Sequence, residues 1–125
     1  MILLILTDGV IHDKEEVKDL LVKCGKLPLS IIMIGIGNGD DWSAMHELDD
    51  DDMQMTDFQG NKTIRDLVQF VEFQKHNNNG VELASEVLYE LPRQVEEYHQ
   101  LCGLTPEVYR KNLDSDSIYQ KNRMM

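Results

Sequence analysis

Two stretches of the chain are apolar almost without interruption, and both stop at turn-forming residues. Residues 1–7 run Met-Ile-Leu-Leu-Ile-Leu-Thr and end at Asp8-Gly9. Residues 29–36 run Leu-Ser-Ile-Ile-Met-Ile-Gly-Ile and close on Gly37-Asn38-Gly39. Short unbroken runs of β-branched and aliphatic residues, rather than alternating ones, predict strands buried on both faces of a sheet. Between them, Val17, Leu20, Leu21 and Cys24 fall at helical spacing, with Asp13, Glu15 and Glu16 at the start and Gly25 as the stop. A short helix carrying Trp42, Met45 and Leu48 on one side is expected after Asp40-Asp41, which can cap it. Residues 49–57 read as a loop and Leu67–Phe73 as a third strand. After the turn Asn77-Asn78-Asn79-Gly80, an apolar stripe through Ala84, Val87, Leu88, Leu91, Val95 and Tyr98 predicts helix, broken near Pro92. Thr105-Pro106 can start one more short helix, and fraying is expected beyond Leu113.

This β-α-β-α-β-α order predicts an α/β fold of three layers, a parallel sheet flanked by helices. Three strands make a thin sheet. The first is as apolar as a central strand, yet nothing precedes it to pair with its far edge, which would be an aggregation hazard. The chain therefore reads as beginning inside a domain, with a second chain as one possible source of the missing edge.

Length and charge narrow the picture. At 125 residues there is room for one core. Twelve Lys and Arg against 23 Asp and Glu give a formal net charge of −11, which opposes nucleic-acid binding and unaided docking on an anionic membrane. Cys24 and Cys102 suit a reducing compartment and form neither a disulfide framework nor a zinc module. The opening run has no basic leader, and no apolar run reaches the roughly 20 residues of a membrane span. A cytosolic, acidic protein is expected.

Few residues carry chemistry. Asp8 ends the first strand, on the sheet edge where ligands of α/β proteins collect, and an oxygen ligand there suits a hard divalent cation. The same stretch partly imitates the haloacid-dehalogenase phosphatases, but their nucleophilic Asp is replaced by Leu6, which leaves no aspartyl-phosphate route. Gly35-x-Gly37 reads as a glycine-rich turn, because Asp40 at the sixth position of a dinucleotide fingerprint would repel a pyrophosphate. His46-Glu47 lacks the second His of a zincin helix, and Asp49–Asp52 lacks the Gly and terminal Glu of an EF-hand. The eight carboxylates between Asp40 and Asp57, with no Lys or Arg among them, read as a solvated acidic surface. Cys24 reads as core. No catalytic set emerges, and the chain is not expected to be an enzyme.

Several phrases in order resemble the C-terminal half of the von Willebrand factor A-type domain of copines. They are Ile5-Leu6-Thr7-Asp8-Gly9-Val10-Ile11, Lys26–Ile32, Gly35-Ile36-Gly37-Asn38, Ala44-Met45, Glu47-Leu48-Asp49, Arg65–Phe73 and Val87–Val95. The resemblance implies a partial A-type (Rossmann-like) domain over residues 1–106, with residues 107–125 a short helix and polar tail. It further implies a cytoplasmic protein recruited to membranes by calcium. Two C2 domains, absent here, would bind Ca²⁺ and anionic phospholipid, while the A-type domain would recruit target proteins. That domain's adhesion site would hold Mg²⁺ or Mn²⁺ through D-x-S-x-S, a later Thr and the Asp of T-D-G. Only the last, Asp8, is present, so metal binding by this chain is expected to be weak or absent. Asp50 stands where the family usually has Gly, and Glu72 where it usually has Pro. A related A-type domain occurs in RING ubiquitin ligases, but the Cys and His residues a RING needs are missing.

Overall fold

The computed structural model describes residues 1–37, 41–49, 55–76, 79–108 and 110–112. Its elements are β1 (Ile2–Thr7), α1 (Lys14–Cys24), β2 (Ser30–Gly35), α2 (Ser43–Leu48), β3 (Val68–Glu72), a 3-10 turn (Phe73–His76), α3 (Gly80–Val87) and α4 (Leu91–Leu101). The strands form one parallel sheet in the order β1-β2-β3, Leu4 opposite Ile32 and Met33 opposite Phe70. This is the partial A-type α/β architecture expected.

Side-chain alternation divides the sheet into two faces. Ile5, Ile31, Met33, Val68 and Phe70 share the first, where they pack with Leu21 and Val22 of α1 and Met45 and Leu48 of α2. Ile32, Gln69 and Val71 share the second, which α3 and α4 cover over β2 and β3. Gln69 Nε2 donates to Glu86 O of α3 at 3.3 Å. Pro92 stands in the first turn of α4 and separates it from α3, because a proline cannot continue a helix but suits its start. Asn79 caps α3 by accepting from Glu82 N at 3.1 Å, while its Nδ2 donates back to the Glu82 carboxylate at 3.1 Å.

Several details depart from the sequence pattern. Leu20 lies off the buried stripe, 59% exposed, because α1 is turned so that Leu21 and Val22 face the sheet. β1 occupies an edge, and Ile2, Leu3, Leu4 and Leu6 are exposed, not buried as their apolar run suggests. Thr56, near the end of the segment read as a loop, forms an antiparallel bridge with Lys62, tightened by Asp57 Oδ1, which accepts from Gln59 N at 2.9 Å and Asn61 N at 2.8 Å. Thr105 Oγ1 accepts from Val108 N at 3.3 Å at the start of a last helical stretch, residues 106–108 and 110–112. Asp40, residues 50–54, Asn77, Asn78 and the fraying expected beyond Leu113 lie outside the described residues. No helix among the described residues is long and apolar enough to cross a membrane.

Candidate functional site at the carboxyl ends of the strands

Parallel strands place all their carboxyl ends on one edge, here Thr7-Asp8, Gly35 and Glu72. Asp8 is exposed, and its Oδ1 accepts from Val10 N at 3.1 Å, a local turn that fixes the carboxylate at the strand end. Thr7 Oγ1 accepts from Gly9 N at 3.1 Å. Gly9 has φ +92°, a left-handed conformation that L side chains rarely adopt. A Cβ on Gly9 would lie 2.6 Å from Trp42 Cζ3, and one on Gly35 would lie 2.8 Å from Trp42 Cη2. The Trp42 indole thus lies across both strand ends, so the glycine-rich turn seats an aromatic ring. The ring centroid is 5.6 Å from that of Phe70.

The neighbouring groups pair with one another instead of converging on Asp8. Asp41 Oδ1 accepts from Ser43 N at 2.9 Å at the start of α2, and hydrogen bonding from the Ser43 side chain, aided by that backbone bond, holds the Asp41 carboxyl below the ordinary range. His46 stands edge-on to Phe70 with its Nε2 2.9 Å from Glu72 Oε1, and Lys75 Nζ lies 3.2 Å from the same oxygen. The hydrogen bond with His46, aided by Lys75 and outweighing partial burial, lowers the Glu72 pKa. Glu47 is held by Lys14 at 2.7 Å and by Lys18, which lowers its pKa as well. His46 and Glu47 therefore take part in three side-chain pairs, with Glu72, Lys14 and Lys18. Leu6, at the phosphatase nucleophile position, is an exposed side chain of β1.

Three carboxylates do meet elsewhere. Asp49, Asp66 and Glu90 offer oxygens within 4.8 Å of one another along the outer edge of β3. Two of them cap that edge. Val68 N donates to Asp66 Oδ1 at 3.2 Å, and Phe70 N donates to Asp49 Oδ2 at 2.9 Å. Arg93 Nη2 lies 3.6 Å from Asp66 Oδ2 and 3.9 Å from Glu90 Oε1. Such a cluster has the oxygen chemistry for a hard cation, but its geometry already accounts for two members as acceptors for a strand edge that would otherwise be open to pairing. Sequence reasoning passed over Asp66 and Glu90. The available signal was a charged residue, Asp66, placed directly before the apolar pair Leu67-Val68 that opens a strand.

The family model described as Copine matches residues 1–107. The chain belongs to the copine family. Among curated relatives, Copine-C of Dictyostelium discoideum is 39% identical over 117 residues, covering 94% of this chain and 22% of that protein. Copine-E of the same organism is 46% identical over 108 residues, covering 86% of this chain and 18% of its own length. The chain thus spans about a fifth of the length of these two copines. Among the described residues of this copine segment, Thr7 Oγ1 and Asp8 Oδ1 at the strand end already accept backbone N–H groups. Mg²⁺ needs several converging oxygens in near-octahedral array, so this donor set alone does not fit a resident ion.

Proposed function

We propose that the chain forms the C-terminal half of a copine A-type domain, a non-catalytic module that recruits target proteins. Asp8 is its contribution to a Mg²⁺ or Mn²⁺ adhesion site whose other ligands come from outside these residues. The observation that supports this reading best is positional. An exposed, locally fixed carboxylate ends the edge strand of a parallel sheet, and the unpaired side of that strand is open to further strands. The remainder of the A-type domain, or a second chain, would add there. In the full-length protein, Ca²⁺ and anionic phospholipid are the business of the C2 domains, which draw a cytoplasmic protein to membranes. Leu6, at the phosphatase nucleophile position, cannot form an aspartyl phosphate.

Calorimetry on this chain should show no Mg²⁺ or Mn²⁺ site tighter than about millimolar, roughly −4 kcal/mol. In a full-length copine, Asp8→Ala should weaken metal-dependent capture of partners while leaving calcium-dependent lipid binding intact. A micromolar Mg²⁺ site in the short chain, lost on Asp8→Ala, would show that the site is complete here. Unchanged metal-dependent capture by the full-length variant would remove Asp8 from the site. Turnover of an aryl phosphate with Mg²⁺ would revive the phosphatase reading, and calcium-dependent cosedimentation of this chain with anionic vesicles would contradict the assignment of lipid binding to the C2 domains.

A further inference from the structure

The two edges of the sheet are finished differently. Ser30 N donates to Met1 O at 3.0 Å and Ile36 N to Thr7 O at 2.8 Å, so the odd-numbered residues of β1 spend their backbone groups on β2. Alternation along the strand then turns the N–H and C=O of Ile2, Leu4 and Leu6 toward the open edge. On β3 the outward N–H groups of Val68 and Phe70 are met by the carboxylates of Asp66 and Asp49. Among the described residues no side chain does the same for Ile2, Leu4 or Leu6. The usual guards of an edge strand are missing too, since β1 contains no Pro and no charged residue. Its side chains Ile2, Leu3, Leu4 and Leu6 are 54, 45, 56 and 64% exposed. One edge is closed, and the other is a bare apolar template.

We propose that a second copy of this chain pairs on that edge, β1 against β1, antiparallel about a two-fold axis through Leu4. The inference rests on the open β1 edge of the A-type reading and names what fills it when this chain stands alone. Symmetry selects the partner. With Leu4 opposite Leu4 of the other copy, Ile2 falls opposite Leu6 and Leu6 opposite Ile2, so every outward-facing residue meets another. Each of these three pairs exchanges two N–H···O bonds, six in all. A shift of one residue would set outward groups against groups already bonded to β2. The same register packs Leu4 on Leu4 and Ile2 on Leu6 on the face that α3 and α4 leave uncovered over β1, and Leu3 beside Ile5 on the other. The capped outer edge of β3 offers no second template, so association stops at two copies and does not grow into a fibre. The net charge of −11 opposes association, but residues 1–7 carry no charged side chain, so the repulsion acts at a distance and is screened at physiological salt. One short strand from each copy makes a small interface, which sets the Kd at about 50 μM.

Sedimentation velocity on the whole chain at about 0.15 M salt tests the pairing. The 14.4 kDa monomer should give way to a species of twice its mass, half converted near about 50 μM, with nothing larger. Hydrogen exchange read by NMR should find the backbone amides of Leu3, Ile5 and Thr7 protected at every concentration. Those of Leu4 and Leu6 should gain protection of about tenfold as the dimer fills. Leu6→Lys alters a side chain that is mostly exposed, so it should hold the monomer's Tm while weakening pairing by about tenfold or more. Adding Ile2→Glu should restore pairing to within about threefold of wild type, because the register sets position 2 of one copy opposite position 6 of the other. A chain that stays monomeric to about 1 mM, oligomers beyond the dimer, exchange at Leu4 that ignores concentration, undiminished pairing by Leu6→Lys, or no rescue by Ile2→Glu would overturn the proposal. The Asp8 reading would survive each of these results, since calorimetry and full-length capture test it separately.

Discussion

Arg65 offers the sharpest test of how this small sheet is held together. Its guanidinium bonds the carbonyls of Gly25, Leu27 and Leu29, which follow α1 and lead into β2, from a position 36 to 40 residues further along the chain. Replacing it with Met keeps much of the volume and removes the donors. Leu27 is exposed, so water can take over its carbonyl. Gly25 and Leu29 are buried, and leaving each carbonyl without a donor costs about 1–3 kcal/mol. Loss of the cation over Tyr98 adds about 0.5–1 kcal/mol. Against this stands the desolvation of the buried guanidinium, which already lowers its pKa and which Met does not incur. The carbonyl partners belong to the backbone and remain in every variant, so the compensation seen when a whole buried ion pair is replaced is not available. The net expectation is a loss of about 3 kcal/mol, a large share of the 5–15 kcal/mol that stabilises a typical domain. Urea unfolding followed by circular dichroism measures it as a fall in midpoint at constant slope. In thermal unfolding the same loss lowers Tm by about 12 °C. Arg65→Lys should recover less than half, because an ammonium is a point charge that cannot reach three carbonyls in a fork. A loss below about 1 kcal/mol for Arg65→Met would refute the reasoning, showing that the carbonyls find other donors.

Three further outcomes are expected. Gly35→Ala should cost about 1–3 kcal/mol, because the new Cβ would stand 2.8 Å from the Trp42 ring and 3.0 Å from Phe70 Cζ, and a fall in intrinsic Trp42 fluorescence polarisation would report the displaced indole. Asp49→Ala should destabilise by about 1–2 kcal/mol in chemical denaturation while Asp49→Asn recovers most of it, since an amide oxygen can still accept from Phe70 N. The lowered Glu72 pKa contributes stability that is present above its ordinary value of 4.5 and is lost as pH falls through the folded value, so Glu72→Gln should flatten the acid limb of a Tm–pH profile and leave the neutral plateau lower than wild type.

Much of the architecture was legible along the chain. The apolar runs at 1–7 and 29–36 are strands, Pro92 breaks the C-terminal helical stripe, and Gly25 stops α1, because each depends on bonds and torsions within a few residues. Asp8 at a strand end was equally legible, since a parallel sheet puts every strand's carboxyl end on one edge. The tertiary structure decided what those local signals share. β1 and β2 are both largely aliphatic, yet β2 is buried and β1 is exposed, because burial is set by neighbours and among the described residues β1 pairs only on its β2 side. Arg65 and Gln94 look in sequence like surface residues of their elements, but folding buries both and turns them to the wall of one cavity. The outer edge of β3 is closed by Asp49, 21 residues away from the amide it caps. These contacts join residues that no periodicity relates, so their partners exist only once the sheet and its covering helices are assembled.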